Sequence, residues 1–164
     1  MSTRAEIVSE IKSAFAGVKL DGGLSLNQTK VIDNYGRGVS AEQFRALPNK
    51  ETTDDWTAIP TSVLDDSDCL AHLDEKGFRY YIPALMLRLL DNYDACSMMT
   101  IGTLGMLYAD AERKKYLYSR LTEQQSQAIA RFLTALPGLV SLDGEDESIV
   151  DRALRNYWSA YSKK

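Results

Sequence analysis

The side chains with the most evident chemical potential are two cysteines and the single histidine. Cys69 and His72 lie three positions apart, and Cys96 is the second thiol. A nucleophilic pair needs both side chains on one side of the backbone, whereas an extended segment would turn these two to opposite sides. A structural zinc site usually needs four Cys or His ligands, and no Cys-x-x-Cys motif is present. The sequence therefore predicts no catalytic and no metal-ligating residues, and two thiols in a reducing compartment.

Carboxylates form the second group of candidates. Asp54 and Asp55 are adjacent, and Asp65, Asp66 and Asp68 follow further along the chain. Paired carboxylates could hold Mg²⁺ or act in glycoside hydrolysis, although neighbouring acids are more often surface charges that keep a protein soluble. The sequence contains no phosphate loop, dinucleotide-binding motif, zinc-protease motif or nucleophile elbow. It therefore predicts no cofactor.

Aromatic side chains leave an enzyme open as the alternative function. Such an enzyme would use carboxylate and aromatic residues in a pocket between a β-hairpin and the helices. Aromatic residues at helix or strand spacing more often belong to a core, which is the competing interpretation. The candidates are Trp56, Tyr80, Tyr81, Tyr157 and Trp158.

Charge is distributed unevenly along the chain. Residues 51–75 contain eight acids and no Lys or Arg, so this segment carries −8 within a chain whose net charge is −4, and the remainder carries +4. Such a surface disfavours nucleic acid and suits a basic protein partner, because complementary fields speed and orient encounter. The predicted partner-binding residues are Asp54, Asp55, Asp65, Asp66 and Asp68.

Length and composition indicate one globular domain over residues 1–164. Hydrophobic residues make up 45% and charged residues 26%, which are ordinary globular values. No stretch has the length and uniform apolarity of a signal peptide or of a membrane-spanning helix. We therefore expect a cytoplasmic protein without a membrane partner.

Helix starts are legible as capping boxes, in which the first and fourth residues satisfy free backbone donors reciprocally. These begin at Thr3, Ser25, Ser40 and Thr122, and apolar residues at helical spacing follow them. The segment from Ser40 is predicted to continue through Phe44 and Leu47 and to stop at Pro48. The fold class predicted from this pattern is mainly α.

The central stretch LDEKGFRYYIPALMLRLL, residues 73–90, predicts a small β-hairpin. Residues 69–73 are a short apolar run, residues 74–77 form a turn that ends in a glycine, and residues 78–82 alternate in the manner of a strand. Pro83 then marks the junction between this strand and a buried helix over residues 84–90. We expect Trp56, Phe78, Tyr80, Leu85 and Leu89 to be buried together.

Residues 97–108, SMMTIGTLGMLY, have no clear periodicity. The segment is compatible with a strand, a loop or a broken helix. Methionine adapts to irregular surfaces, so an exposed run would be a plausible docking patch, whereas a buried run would fill a gap in the core. The role of this segment stays open at the level of sequence.

Three blocks resemble those of a bacterial family of small cytosolic proteins of unknown function. They are WTAIP at residues 56–60, GFRYYIPA at residues 77–84 and LTEQQ at residues 121–125. Similar sequences carry W-x-x-I-P, G-F-R-[FY]-Y-[LI]-P-A and L-T-x-E-Q in that order. The resemblance covers roughly residues 5–160, is weaker over residues 94–110, and implies a fold rather than a reaction.

A small acidic chain without a catalytic constellation is typical of bacterial immunity proteins, which neutralise toxins. We therefore expect a non-enzymatic protein-binding module that occludes a basic surface of its partner. The sequence identifies neither that partner nor the oligomeric state.

Overall fold

The computed structural model describes residues 1–35, 40, 42–43 and 53–162. Within these residues every regular element is a helix. The α-helices are α1 (Arg4–Ala14), α2 (Leu26–Tyr35), α3 (Thr61–Asp65), α4 (Glu75–Asp91), α5 (Met98–Leu107), α6 (Ala111–Leu117), α7 (Glu123–Leu139) and α8 (Gly144–Asn156). Three short 3₁₀ helices are η1 (Trp56–Ala58), η2 (Leu70–His72) and η3 (Trp158–Tyr161).

The predicted helix starts are confirmed where the structure describes them. Thr3 and Thr122 head complete capping boxes at α1 and α7. At Ser25 the backbone N–H donates to Gln28 Oε1 at 2.8 Å, and Gln28 N–H donates back to the serine hydroxyl at 3.3 Å. Ser40 exchanges the same two bonds with Gln43. The predicted continuation through Phe44 and Leu47 to Pro48 lies outside the described residues.

The predicted β-hairpin is wrong. Residues 75–91 form the single long helix α4, and residues 70–72 form η2, so the described part of the chain contains no strand. The predicted turn is instead the start of α4, where Asp74 Oδ1 accepts hydrogen bonds from the backbone N–H groups of Gly77 at 2.8 Å and Leu24 at 3.0 Å. Pro83 lies inside α4 rather than at a junction.

Burial on all sides explains why α4 looked like a strand. Most of its residues from Gly77 to Leu90 are buried, so no polar stripe marks a helical period. The alternation of Phe78, Tyr80 and Ile82 therefore resembles the period of a strand only by coincidence. A short apolar run cannot be assigned to strand or helix by periodicity alone.

The hydrophobic core surrounds α4. Trp56, Phe78, Tyr80, Leu85 and Leu89 are all buried members of one core cluster, as predicted. Helices α1 and α7 pack against each other, and both also contact α4. The core thus holds the surface elements η1, α3, η2 and α5 in fixed positions around one long central helix.

The Met- and Gly-rich segment is the regular helix α5. Ser97 caps its first turn, with the hydroxyl accepting from Thr100 N–H at 3.0 Å. Met99, Leu104, Met106 and Leu107 are buried, so one side of α5 belongs to the core. Within the described residues, no helix is both long enough and apolar enough to cross a membrane.

Candidate functional site

The five aspartates predicted to bind a partner are all exposed, but they differ in what they contact. They are Asp54, Asp55, Asp65, Asp66 and Asp68. Asp54 and Asp55 precede η1 and lie beside the loop that follows α1. The other three lie at and after the end of α3, which contacts both α4 and α5. Each group is therefore described by its own neighbours.

Asp54 and Asp55 are both engaged within the chain. Asp54 lies 3.2 Å from the ammonium group of Lys19. Asp55 caps η1, where its Oδ1 accepts from the Thr57 hydroxyl at 2.7 Å and from the Thr57 N–H at 2.9 Å. These hydrogen bonds hold the pKa of the Asp55 carboxyl below its ordinary value. Asp54 is thus paired with a basic side chain, and Asp55 stabilises the start of η1.

Asp65 forms a bidentate ion pair with Arg88 of α4. Both nitrogen–oxygen distances are 2.7 Å, which is the parallel two-bond geometry of a strong carboxylate–guanidinium pair. Hydrogen bonding from Arg88 lowers the pKa of the Asp65 carboxyl. The pair fixes the end of α3 on α4, and it cancels the charge that Asp65 would offer to a partner.

Asp66 and Asp68 keep their charge available. Neither forms an ion pair with any residue that the structure describes. Asp68 Oδ1 accepts from the Cys69 thiol at 3.1 Å, and this bond lowers the pKa of the Asp68 carboxyl. Lys30 also attracts the Asp68 carboxylate, so the charge of Asp68 is partly offset, while both aspartates remain exposed.

The Cys69 thiol lies in surroundings that do not favour its thiolate form. Cys69 and His72 are in a 3₁₀ turn rather than in the extended run predicted from the sequence. The Cys69 thiol is buried and donates to a carboxylate, which is the opposite of the electropositive surroundings that activate a thiolate. Among the described residues, no three His, Cys, Asp or Glu side chains converge as metal ligands.

The aromatic candidates are mainly core residues. Tyr80 and Tyr81 are fully buried, and the Tyr80 hydroxyl donates to the Thr53 carbonyl at 2.9 Å. The indole N–H groups of Trp56 and Trp158 donate to the carbonyls of Phe15 and Leu107, each at 2.8 Å. Tyr157 is half-buried and stacks edge-on against the Trp158 ring. Their polar atoms serve the packing of helices.

The buried acid Asp146 has hydrogen-bond partners within the described chain. Asp146 in the first turn of α8 accepts a 2.6 Å hydrogen bond from the Tyr93 hydroxyl. The same hydroxyl accepts from the Asp143 N–H at 3.0 Å. Burial, together with the bond to Asp146, raises the pKa of Tyr93 to about 12. This arrangement fastens the loop before α5 to the start of α8.

Surface clefts offer little enclosure. The cleft between α1, η1, α3 and α4 has a volume of about 220 Å³, below the roughly 300–1,000 Å³ of typical ligand pockets. Larger clefts of about 450 and 520 Å³ lie open to solvent beside residues 53–56 and between α7 and α8. The alternative prediction, an enzyme, placed its pocket between a β-hairpin and the helices. The described residues form no such hairpin.

The family can be stated at this point. A family model described as a family of unknown function, DUF6714, matches residues 3–162. The chain belongs to this family. Searches of curated proteins and of solved structures each find no match. Membership confirms the resemblance to an uncharacterised family, and it assigns no activity to any residue.

One surface was only partly visible in the sequence. Helix α5 exposes Met98 and Ile101 to 54% and 50%, while its other side packs in the core. The composition of residues 97–108 indicated a possible docking patch, but without a period it could not separate exposed from buried positions. The available signal was the spacing of Met98, Ile101 and Gly105 once the segment is read as a helix.

Proposed function

We propose that this chain is a non-enzymatic protein-binding module whose partner carries a basic surface. We further propose that it is a bacterial, cytoplasmic immunity protein, which neutralises a toxin by occluding that surface. The three sequence blocks would then be markers of the family. The observation that supports the proposal best is the exposed pair Asp66 and Asp68, which lies within a segment of −8 and forms no ion pair with a described residue.

The physical basis of such binding is electrostatic complementarity. Charges on an exposed surface act over a screening length of about 8 Å at physiological salt. Neighbouring acids therefore act together on an approaching basic protein and mainly increase the association rate. Asp54 and Asp65 contribute less net charge than the sequence suggested, because each is paired with a basic side chain of the chain.

The test is co-expression with the protein encoded beside this gene. We expect that protein to inhibit growth when expressed alone, and we expect co-expression of this chain to restore growth. Size-exclusion chromatography of the purified proteins should show a complex that weakens as salt increases. A neighbouring product that is harmless and forms no complex would contradict the immunity proposal.

The stoichiometry of protection separates occlusion from an enzymatic effect. An occluding protein protects in proportion to the amount of complex, so protection should require at least one copy of this chain per copy of toxin. Titrating the two proteins in a cell-free assay of the toxin measures this ratio. Protection at a small fraction of the toxin concentration would indicate turnover and would overturn the non-enzymatic proposal.

A further inference from the structure

The cleft between α1, η1, α3 and α4 combines an apolar lining with exposed polar side chains. Its apolar lining consists of Trp56, Ile59, Leu64, Ala84 and Leu87. The first four of these are buried and the last is half-buried, so the interior of the cleft continues the hydrophobic core. Because four separate elements contribute to it, the shape of the cleft depends on the complete fold.

Three charged side chains line the cleft, and two of them are compensated by neighbours outside it. Arg88 forms the bidentate ion pair with Asp65. Asp91 lies 3.6 Å from the guanidinium group of Arg4. The third, Lys12, is exposed and forms no ion pair with any residue that the structure describes. The ammonium group of Lys12 is therefore the uncompensated charge of the cleft.

The two hydroxyl groups that line the cleft also differ in what they contact. The Thr57 hydroxyl donates to Asp55 Oδ1 at 2.7 Å. Thr61 is exposed, and its hydroxyl forms no hydrogen bond within the described residues. An ammonium group only donates hydrogen bonds, and a hydroxyl group can donate one. Lys12 and Thr61 together therefore favour a ligand group that accepts hydrogen bonds and carries a negative charge.

The volume of the cleft limits the size of such a ligand. The cleft measures about 220 Å³. A dry apolar cavity of about 150 Å³ accommodates benzene, so one ring with a small substituent fits here. Nucleotides and larger cofactors need the roughly 300–1,000 Å³ of typical ligand pockets. The cleft thus selects a ligand with a single ring or a short branched chain.

We propose that this cleft binds a small monocarboxylate whose body is one aromatic ring or a branched aliphatic chain. The apolar body lies against Trp56, Ile59 and Leu87, and the carboxylate faces Lys12 and Thr61. Burial of the body supplies most of the affinity, because an ion pair at an exposed lysine contributes little. This inference goes beyond the proposed function, since the ligand is a small molecule and the cleft includes none of the aspartates predicted to bind a partner.

The test uses three small compounds and the full chain. Benzoate carries both the ring and the carboxylate, benzyl alcohol carries the ring without the charge, and acetate carries the charge without the ring. We expect benzoate to bind with a Kd of about 1 mM or tighter. Benzyl alcohol should bind about threefold more weakly, and acetate at least tenfold more weakly. NMR titration at constant ionic strength measures this, with the Trp56 indole N–H and the Leu87 amide as reporters.

Lys12→Gln tests the charge of the cleft. The variant should weaken binding of benzoate by about threefold to fivefold, which is the range expected for an exposed ion pair. It should leave the affinity for benzyl alcohol unchanged. Lys115→Gln is the matched control, because Lys115 is also exposed and without an ion pair to a described residue but lies on α6. The control should leave both affinities unchanged.

Ala84→Leu tests the apolar part of the cleft. Ala84 lines the cleft from α4, so a leucine there would occupy the volume of the ligand. Binding of benzoate and of benzyl alcohol should each weaken by at least about tenfold. Leu87→Ser is the second variant, which removes apolar lining without adding volume and should weaken both by about threefold or more. Circular dichroism confirms that each variant is folded, and Leu87→Ser decides if Ala84→Leu is not.

Several outcomes would overturn this inference. Unchanged binding of benzoate in a folded cleft variant would locate the compound elsewhere on the protein. Equal affinities for benzoate and benzyl alcohol, or equal losses in Lys12→Gln and Lys115→Gln, would contradict the carboxylate. If no compound shifted the reporters while the product of the neighbouring gene did, the cleft would belong to a protein interface instead. Co-expression tests the proposed function separately, so either proposal can fail without the other.

Discussion

At the scale of single residues, the acids of this protein perform different tasks despite their similar appearance in the sequence. Asp55 and Asp74 cap helices, Asp65 pairs with Arg88, and Asp68 accepts from the Cys69 thiol and is attracted by Lys30. The sequence shows that residues 51–75 contain no Lys or Arg. It could not show that Arg88 in the last turn of α4 reaches back to Asp65, because the contact depends on how α3 packs.

Asp65→Asn should destabilise the protein at neutral pH and not at low pH. The folded state lowers the pKa of this carboxyl, so its stabilisation is complete above the unfolded value of about 3.9 and is lost as the pH falls through the folded value. Partial exposure limits the loss in unfolding free energy to about 1 kcal/mol at pH 7. Denaturant unfolding at about pH 7 and about pH 2 measures it; an equal loss at both pH values would show that the ion pair is not its cause.

Phe78→Ala should cost about 3–5 kcal/mol in unfolding free energy through lost burial and the cavity that remains. The Phe78 ring is fully buried, and its centroid lies 5.4 Å from that of Tyr118. Urea denaturation of the variant measures the loss. Phe78→Leu is the control and should cost less, since most of the volume is kept. A loss below about 1 kcal/mol for alanine would place the ring outside the core.

At the scale of elements, the helix starts could be predicted from the sequence, whereas the first half of the central helix α4 was wrongly predicted as part of a β-hairpin. Capping boxes are local, because the first and fourth residues satisfy each other whatever the remainder of the fold does. The identity of α4 depends on burial from all sides, which removes the polar stripe that reveals a helix. The unused local signal was Asp74, which caps Gly77 and is followed by a long, mainly apolar run in which Pro83 is the one turn residue before Asp91.

Asp74→Ala should destabilise the protein by about 1–2 kcal/mol, because it leaves the Gly77 and Leu24 N–H groups without their acceptor. Asp74→Asn should restore most of the loss, since an asparagine side chain caps almost as well. Thermal unfolding of both variants gives the comparison. If asparagine were as harmful as alanine, the negative charge rather than the capping bond would be responsible.

At the scale of the whole molecule, the acidic segment and helix α5 come from separate parts of the sequence and are packed together in one helical core. Composition and charge patterning predicted an acidic surface, and segment 97–108 was recognised as a possible patch. Their proximity depends on the packing of α3 and η2 on α5, which links residues distant in sequence. The sequence therefore indicated both features separately, while only the tertiary structure shows that α3 and η2, the elements on either side of Asp66 and Asp68, pack on α5.

The combined variant Asp66→Asn and Asp68→Asn should slow association with the basic partner by about tenfold at low salt and flatten its salt dependence. Its unfolding free energy should change by less than about 0.5 kcal/mol per site, because neither aspartate forms an ion pair with a described residue. Stopped-flow association rates across a salt series provide the measurement. Glu145→Gln with Glu147→Gln is the matched control, since both glutamates are exposed but lie on α8. An equal reduction in the control would show that net charge alone governs association, and an unchanged rate in the aspartate variant would identify these acids as ordinary solvated surface.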